Sequence, residues 1–270
     1  MTPLGLLALL ACSPDPAPSR PAPIEPERAV VVDSRILLDA DGVVLERRTW
    51  RFGESSGQAW LARVALPGRA EVMPAEDVAP FDTLLPADDG PWIAVNGAFY
   101  ERGAPMGLVV SGGVEAAPLR PRGGSGVFEW SDAGPRVVHR DAWRAGAPQA
   151  LQSVDRLMDG GRSLVRSRGD DRLSARSAIV VGRTHLWAVV LAANASVKRT
   201  DDGSRLDSTA GRGLPLWAFA DFLAAQTEAE SALNLDGGIS TQIAVRAGGR
   251  TVRVRSRHGT INAVVLRPSN

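Results

Sequence analysis

The segment Asn234-Leu235-Asp236-Gly237-Gly238-Ile239-Ser240-Thr241 sets the tightest limit on how this chain folds. Ser231-Ala232-Leu233 reads as a strand leaving the core, and two consecutive glycines then allow a tight turn that residues bearing a Cβ would block. An acid, two hydroxyls and backbone N–H groups converge there. The chain resumes as a strand at Gln242-Ile243-Ala244-Val245, so the same segment also fits an ordinary hairpin, for which Asp-Gly is the commonest short signal. Just upstream, Leu214 to Glu228 carries the clearest helical pattern, with Leu216, Phe219, Ala220, Leu223 and Ala224 recurring on one face.

Most of the remaining chain reads as strands. Val30 to Leu38, Val43 to Phe52 and Gln58 to Leu66 form the first group, the last with Trp60, Ala62, Val64 and Leu66 on one face. The intervening Gly53-Glu54-Ser55-Ser56-Gly57 matches the spacing of a hydrolase nucleophile elbow, but that elbow needs a helix after it and a strand follows here. A hairpin loop is expected instead. Pro67 to Gly90 reads as a surface excursion with one short helix near Phe81 to Leu85. Trp92 to Val95 and Met106 to Val110 are strands, and a meander continues through Gly126 to Trp130 and Arg136 to Arg140. Gln149 to Met158 reads as a strand pair ending in Asp159-Gly160-Gly161, and Arg176 to Val181 with His185 to Ala192 as an apolar hairpin.

Asn194 to Gly213 is polar and without periodicity and is expected to be a long loop. The last strands are Gln242 to Arg246, Thr251 to Arg255 and Ile261 to Leu266. Arg246, Arg250, Arg253, Arg255 and Arg257 read as a solvated sheet face, with an anion-binding surface as the alternative. The fold class expected is α+β: one β-rich domain over residues 29–270, with mixed sheets and one main helix before the Asp-Gly-Gly turn.

Composition removes several function classes. The 270 residues are 44% hydrophobic, enough to bury a full core, and the formal net charge is +1 with no basic block. Nucleic acid is therefore not an expected partner. Cys12 is the sole cysteine, which excludes disulfide frameworks, thiolate metal sites and a cysteine nucleophile within the domain. The three histidines, His139, His185 and His258, are widely spaced, so no preformed zinc site is expected. No cofactor is implied; a divalent cation held by Asp236 and loop oxygens is compatible with the sequence but not required by it.

The N-terminus points to export. Leu4 to Ala11 is apolar but too short to span a bilayer, and Leu9-Leu10-Ala11-Cys12 resembles a bacterial lipobox, whose cysteine is lipidated. Residues 1–12 are expected to be a lipoprotein signal peptide with Cys12 as the lipid anchor. Residues 13–28 are Pro- and Ala-rich and suit an extended tether. The expected location is the bacterial cell envelope, with the membrane as a partner through the lipid.

Four segments in order carry a resemblance. They are Val95-Asn96-Gly97-Ala98-Phe99-Tyr100 with Pro105-Met106-Gly107-Leu108; Leu151-Gln152-Ser153 with Leu157-Met158-Asp159-Gly160; Arg176-Ser177-Ala178-Ile179; and Leu233 to Thr241. Their order, and the helix before the last, resemble the phosphodiester glycosidase domain family, over roughly residues 90 to 266. That family includes the enzyme that uncovers mannose phosphate by removing N-acetylglucosamine from a phosphodiester. Against its usual pattern this chain has Ala98 and Ile239 in place of glycines, Ser177 in place of threonine, and Val154-Asp155 in place of Gly-Pro.

The resemblance implies a sugar-phosphate or glycan substrate that breaks at the anomeric C–O bond through an oxocarbenium-like transition state. The leaving phosphate monoester is already a stable anion, so the site chiefly needs an anion holder and a carboxylate. Arg176 is the expected phosphate clamp, because a guanidinium is permanently charged and binds phosphate bidentately. Asp236 is the expected nucleophile, base or stabiliser of positive charge, and Glu101 a second carboxylate or a solvent-exposed loop acid. Asn96, Gly97, Gln152, Asn234, Gly237, Gly238, Ser240 and Thr241 are the expected substrate-binding set. Two alternatives stay open: a glycan-binding envelope lipoprotein without turnover, and a phosphodiesterase that cuts at phosphorus. Asp236 and Arg176 occurring together favours chemistry, since binding alone tolerates an amide in place of the acid.

Overall fold

The computed structural model describes residues 27–165, 172–194, 197–200, 203–206 and 212–269. Cys12, the expected signal peptide and most of the expected tether lie outside the described residues. Four long strands open the chain: β1 (Val30–Ala40), β2 (Val43–Phe52), β3 (Ser55–Ala65) and β4 (Arg69–Ala79). A 3-10 turn (Phe81–Leu84) leads to β5 (Trp92–Asn96), the short β6 (Tyr100–Glu101) and β7 (Ala104–Pro105), then β8 (Val109–Ser111) and β9 (Val114–Ala117). Next come β10 (Gly126–Ser131), β11 (Gly134–His139), β12 (Gln149–Ser153), β13 (Arg156–Asp159) and β14 (Arg162–Ser163). The hairpin β15 (Arg176–Gly182) and β16 (His185–Ala193) precedes β17 (Val197–Thr200) and β18 (Gly203–Leu206). Helix α1 (Leu216–Gln226) is followed by β19 (Ala229–Asn234), β20 (Ile243–Ala247), β21 (Arg250–Arg255) and β22 (Thr260–Arg267).

These strands build two large sheets. One runs β1-β2-β3-β16-β15-β19-β13-β14 and the other β17-β18-β21-β20-β5-β22-β4. A smaller sheet, β11-β10-β12-β8-β9, and the β6-β7 ribbon complete the set. The second large sheet is mixed, because β18 pairs parallel to β21 while its other pairs are antiparallel. The large sheets share a core. Leu45, Trp60, Val64, Ile179 and Val190 from the first meet Val72, Ile93, Val95, Val245 and Val264 from the second. The other face of the first sheet is covered by α1, whose Phe219, Phe222 and Leu223 pack against Leu61, Val180, Val189 and Leu191. Phe81 and Leu84 of the 3-10 turn cover Trp92, Ala94 and Val265 on the outer face of the second. Strands buried on both faces lose the alternation of half-exposed ones, which is why Trp92 to Val95 and Leu186 to Ala193 are continuous apolar runs.

The β-rich architecture, the mixed sheet and the one main helix agree with the sequence reading. Three local expectations are corrected. Pro67 to Gly90 is not an excursion, because β4 lies within it; as an edge strand, β4 buries little beyond Ala70 and Val72 and tolerates Pro74. The expected loop at 194–213 contains the β17–β18 hairpin, whose polar composition suits the outer edge of a sheet. The strand pair within Gln149 to Met158 divides, with β12 in the small sheet and β13 in a large one.

Candidate active site

The Asp-Gly-Gly segment is not a hairpin, since β19 and β20 belong to different large sheets. Between them the chain passes through a 3-10 turn at Gly238–Ser240. Leu235 donates its N–H to Ser177 O at 2.9 Å and Gly238 donates to Ala175 O at 2.8 Å, so the segment runs on beside the start of β15. Gly238 has φ +60, and a Cβ on Gly237 would come within 2.7 Å of Ala175 O. Both glycines are therefore required by geometry.

Asn96, at the end of β5, fixes this crossing from below. Its Nδ2 donates to Asp236 O at 2.7 Å, and its Oδ1 accepts from Ser177 Oγ at 2.8 Å and Gln242 N at 3.0 Å. The Asp236 N–H donates to Gly97 O at 2.9 Å, and Gly97 donates to Asn262 O at 2.9 Å. A Cβ on Gly97 would lie 1.8 Å from Asn262 Oδ1, so only glycine fits this close approach. Asn262 Oδ1 in turn accepts from the Ala98 N–H. Asn96 and Gly97 thus hold the Asp236 peptide on both sides.

The Asp236 carboxyl accepts hydrogen bonds from the Ser240 hydroxyl and the Gly237 N–H. Burial nevertheless dominates and pushes its pKa up from 3.8 to about 6. Its neighbours Leu235 and Gly237 line a cleft of about 380 Å3, together with Asn234, Gly238 and Ile239. Arg172, Ser174 and Arg176 form one side of it, Val154 and Asp155 another, and Phe99 and Leu216 add apolar surface. Arg176 is buried at 8% exposure. Its Nε donates to Leu214 O at 3.0 Å and Nη2 to Arg172 O at 2.9 Å, which fixes the guanidinium plane beside the cleft. Asn234 Oδ1 is buried without a hydrogen-bond partner among the described residues, and so is Thr241 Oγ1.

The expected residues therefore divide. Arg176, Asn234, Gly237 and Gly238 line the cleft, whereas Asp236 and Ser240, bonded to each other, adjoin its lining residues in sequence. Gln152 does not come to it: Oε1 accepts from Leu108 N and Arg120 N, and Nε2 donates to Arg120 O and Gly124 O, which fills the amide. Glu101 also stands apart, exposed on the β6–β7 ribbon, where Arg102 and Gly103 turn the chain outward. The Gly237 and Gly238 N–H groups are engaged within the protein.

Residues that the sequence reading left outside the site include Ser174, Arg172 and Asp155. Asp155 adopts a left-handed backbone, φ 61, at the cleft wall, a conformation that aspartate tolerates better than most side-chain-bearing residues. Asn262 was signalled only as a lone amide in an apolar strand. Among the described residues, no group of three or more His, Cys, Asp or Glu side chains is placed to hold a metal ion. No described helix is long and apolar enough to cross a membrane.

Two large sheets packed on a shared core thus carry, on the crossing between them, a buried carboxyl of raised pKa that adjoins in sequence the residues of an arginine-lined cleft. The chain matches the phosphodiester glycosidase family over residues 89–266 and belongs to that family. The strands that precede the match, β1 to β4, complete both large sheets. No curated protein sequence matches the chain. Among solved structures it is similar to a hypothetical protein from Synechocystis, with a TM-score of 0.62 at 16% identity over 87% of this chain. This chain spans 64% of that protein's length. It is also similar to the catalytic domain of zebrafish N-acetylglucosamine-1-phosphodiester alpha-N-acetylglucosaminidase in a form auto-inhibited by its pro-peptide. There the TM-score is 0.58 at 16% identity, over 92% of this chain and 85% of the other. At that identity the two structures share the fold.

Proposed function

We propose that this chain hydrolyses the anomeric C–O bond of sugar-1-phosphodiesters in envelope or exopolysaccharide glycans, held at the membrane through Cys12. The observation that carries the reading is Asp236: its carboxyl is buried with a pKa raised to about 6, and its chain neighbours Leu235 and Gly237 line the Arg176 cleft. At neutral pH such a group is mostly ionised yet still exchanges a proton readily, which suits a nucleophile or base. As the C–O bond breaks, the phosphate monoester departs with the electron pair and the anomeric carbon becomes cationic. The carboxylate stabilises that cation, and water adds to the carbon while its proton passes to the acid. The Arg176 guanidinium, held in one plane by two carbonyls, supplies positive charge towards the phosphate. Asn234 offers an unpartnered amide oxygen to a sugar hydroxyl.

A second reading, glycan binding without turnover, is favoured by Ile239, whose side chain is 41% exposed on the cleft wall where the family pattern has glycine. One experiment separates these readings and the cut at phosphorus. UDP-N-acetylglucosamine and a panel of alkyl sugar-1-phosphates are incubated in oxygen-labelled water with the wild type, and with Asp236→Asn beside it. Label on the anomeric carbon, lost in the variant, is the expected result. Label on phosphate reassigns the chain as a phosphodiesterase. Sugar-phosphate binding without any turnover of the panel leaves a binding protein.

A further inference from the structure

A second groove, of about 710 Å3, opens where β1, β2 and β3 face β18 and β21 of the other large sheet. It shares no lining residue with the Asp236 cleft. Arg35, Arg47 and Arg250 line it, with Trp60 and Ser204, and among the described residues none that lines it is acidic. Arg35 and Arg47 are direct cross-strand partners on β1 and β2. Side chains so placed have Cβ atoms about 5 Å apart, and like charges there destabilise the sheet. None of the three arginines forms an ion pair among the described residues.

Their direction makes the placement more unusual. Arg47 follows Leu45 on the inward face of β2, and Arg250 precedes Val252 and Val254 on the inward face of β21. Charged groups thus occupy the inward positions at the end of the core, where apolar ones would close it. Arg250 is on the opposite face from Arg253 and Arg255, which pair with Asp82, so the single arginine face read from the sequence is in fact two. Glu46 is engaged with Arg48 and Ser34. Asp33, paired in register with Thr49, is the acid nearest in register on β1. Asp201 and Asp202, between β17 and β18, lie outside the described residues.

We propose that this groove binds an oligoanionic saccharide, one bearing carboxylates or phosphates on neighbouring units. Guanidinium groups recognise both anions bidentately, and a ligand that reaches Arg250 from the Arg35–Arg47 pair must carry more than one charge. The volume suits a short oligosaccharide rather than a single ion. The balanced net charge of +1 provides no extended basic field of the kind that nucleic acid selects. The site goes beyond the hydrolytic reading and is independent of turnover at Asp236.

The test is calorimetric titration of the full chain at low salt with trigalacturonate and with a sugar bisphosphate. Inorganic phosphate serves as the single-anion control and a short thymidine oligonucleotide as the competitor. Saturable binding of either saccharide by the wild type and by Asp236→Asn, weakened at least tenfold in Arg35→Ser/Arg47→Ser and in Arg250→Ser, is the expected result. A raised thermal midpoint of the unliganded double variant accompanies it, because the like-charge pair is gone. Absence of saturable binding overturns the proposal, as does equal binding by all variants. Tighter binding of the oligonucleotide reassigns the groove to nucleic acid. Aggregation of the double variant, with no saccharide bound by the wild type, would make the arginines guards of a sheet edge instead.

Discussion

Gln152 and Asn234 are both buried amides within the resemblance to phosphodiester glycosidases, but their surroundings differ in kind. Around Gln152 every donor and acceptor of the amide meets a backbone partner, so the side chain fastens the 120–124 loop to β12 and Leu108. Around Asn234 the amide oxygen is buried at a cleft wall with no partner among the described residues, and the Thr241 hydroxyl, nearby in sequence, is likewise buried and unmet among them. Leaving a buried acceptor unmet costs about 1–3 kcal/mol unless a ligand or water meets it. The contrast teaches that a polar residue in a family motif is placed in the scaffold or at the ligand by its partners, not by its type. Asn96 falls with Gln152, since it holds the Asp236 peptide, while Asp236 falls with Asn234.

The strongest attempt to break this contrast is Asp236→Asn. Turnover is expected to fall about a thousandfold or more. Stability should move the other way. The folded pKa of about 6 stands above the ordinary 3.8, so the folded chain holds this proton more tightly. Its contribution to stability is fully present below the unfolded value and is lost as pH rises through 6. At pH 8 the buried charge costs about 3 kcal/mol, which the amide removes. Thermal unfolding at pH 5 and pH 8 should show the variant's gain growing with pH, and wild-type kcat/KM should fall on the acid side with a midpoint near 6. A stability loss at pH 8 would contradict the burial argument.

Gln152→Leu is the next largest effect: it leaves the Leu108 and Arg120 N–H groups unmet, while the Arg120 and Gly124 carbonyls keep the Gly123 N–H and Arg140 Nη1 as donors, and urea unfolding should show a loss of about 3 kcal/mol. A loss below about 1 kcal/mol would remove Gln152 from the scaffold. Asn234→Ala should change stability by less than about 1 kcal/mol, because its oxygen has no partner to lose, while kcat/KM falls about tenfold. The reverse pattern would exchange the roles of the two amides. Smallest is Ile239→Gly, which removes the exposed apolar wall and should lower KM for bulkier sugar phosphates about threefold.

The sequence made individual elements readable where one element supplies the signal. Val43 to Phe52 and α1 show their own pattern and the β15–β16 hairpin its two apolar runs, and each forms close to where it was read. Sheet membership is set by partners far along the chain, so nothing in Gln149 to Met158 shows that its two strands part company. Edge strands weaken the pattern further: β4 carries Pro74 and three acids, and β17–β18 is largely polar, because neither has to bury both faces. In the cleft, residues within one motif were readable together, as with Asn234, Asp236, Gly237 and Gly238. Asp155, from the turn between β12 and β13, Ser174, just before β15, and Asn262 of β22, which supports the site, come from other parts of the chain and stand out only through backbone geometry or contact. Cβ-level crowding separates Gly97 from the ligand-facing residues, and it too is invisible in spacing.

The crossing from β19 to β20 has a consequence for how the acid behaves over time. Its amide proton is bonded to Gly97 O and its carbonyl to Asn96, and both belong to or adjoin β5, an interior strand of the second sheet between β20 and β22. A segment anchored in this way does not open alone. In solvent-exchange experiments the Asp236 amide should become labelled only when the two sheets separate, alongside the amides of β5. The acid therefore sits on a turn by its sequence but has the slow exchange of a core strand, and its position is set before any substrate arrives.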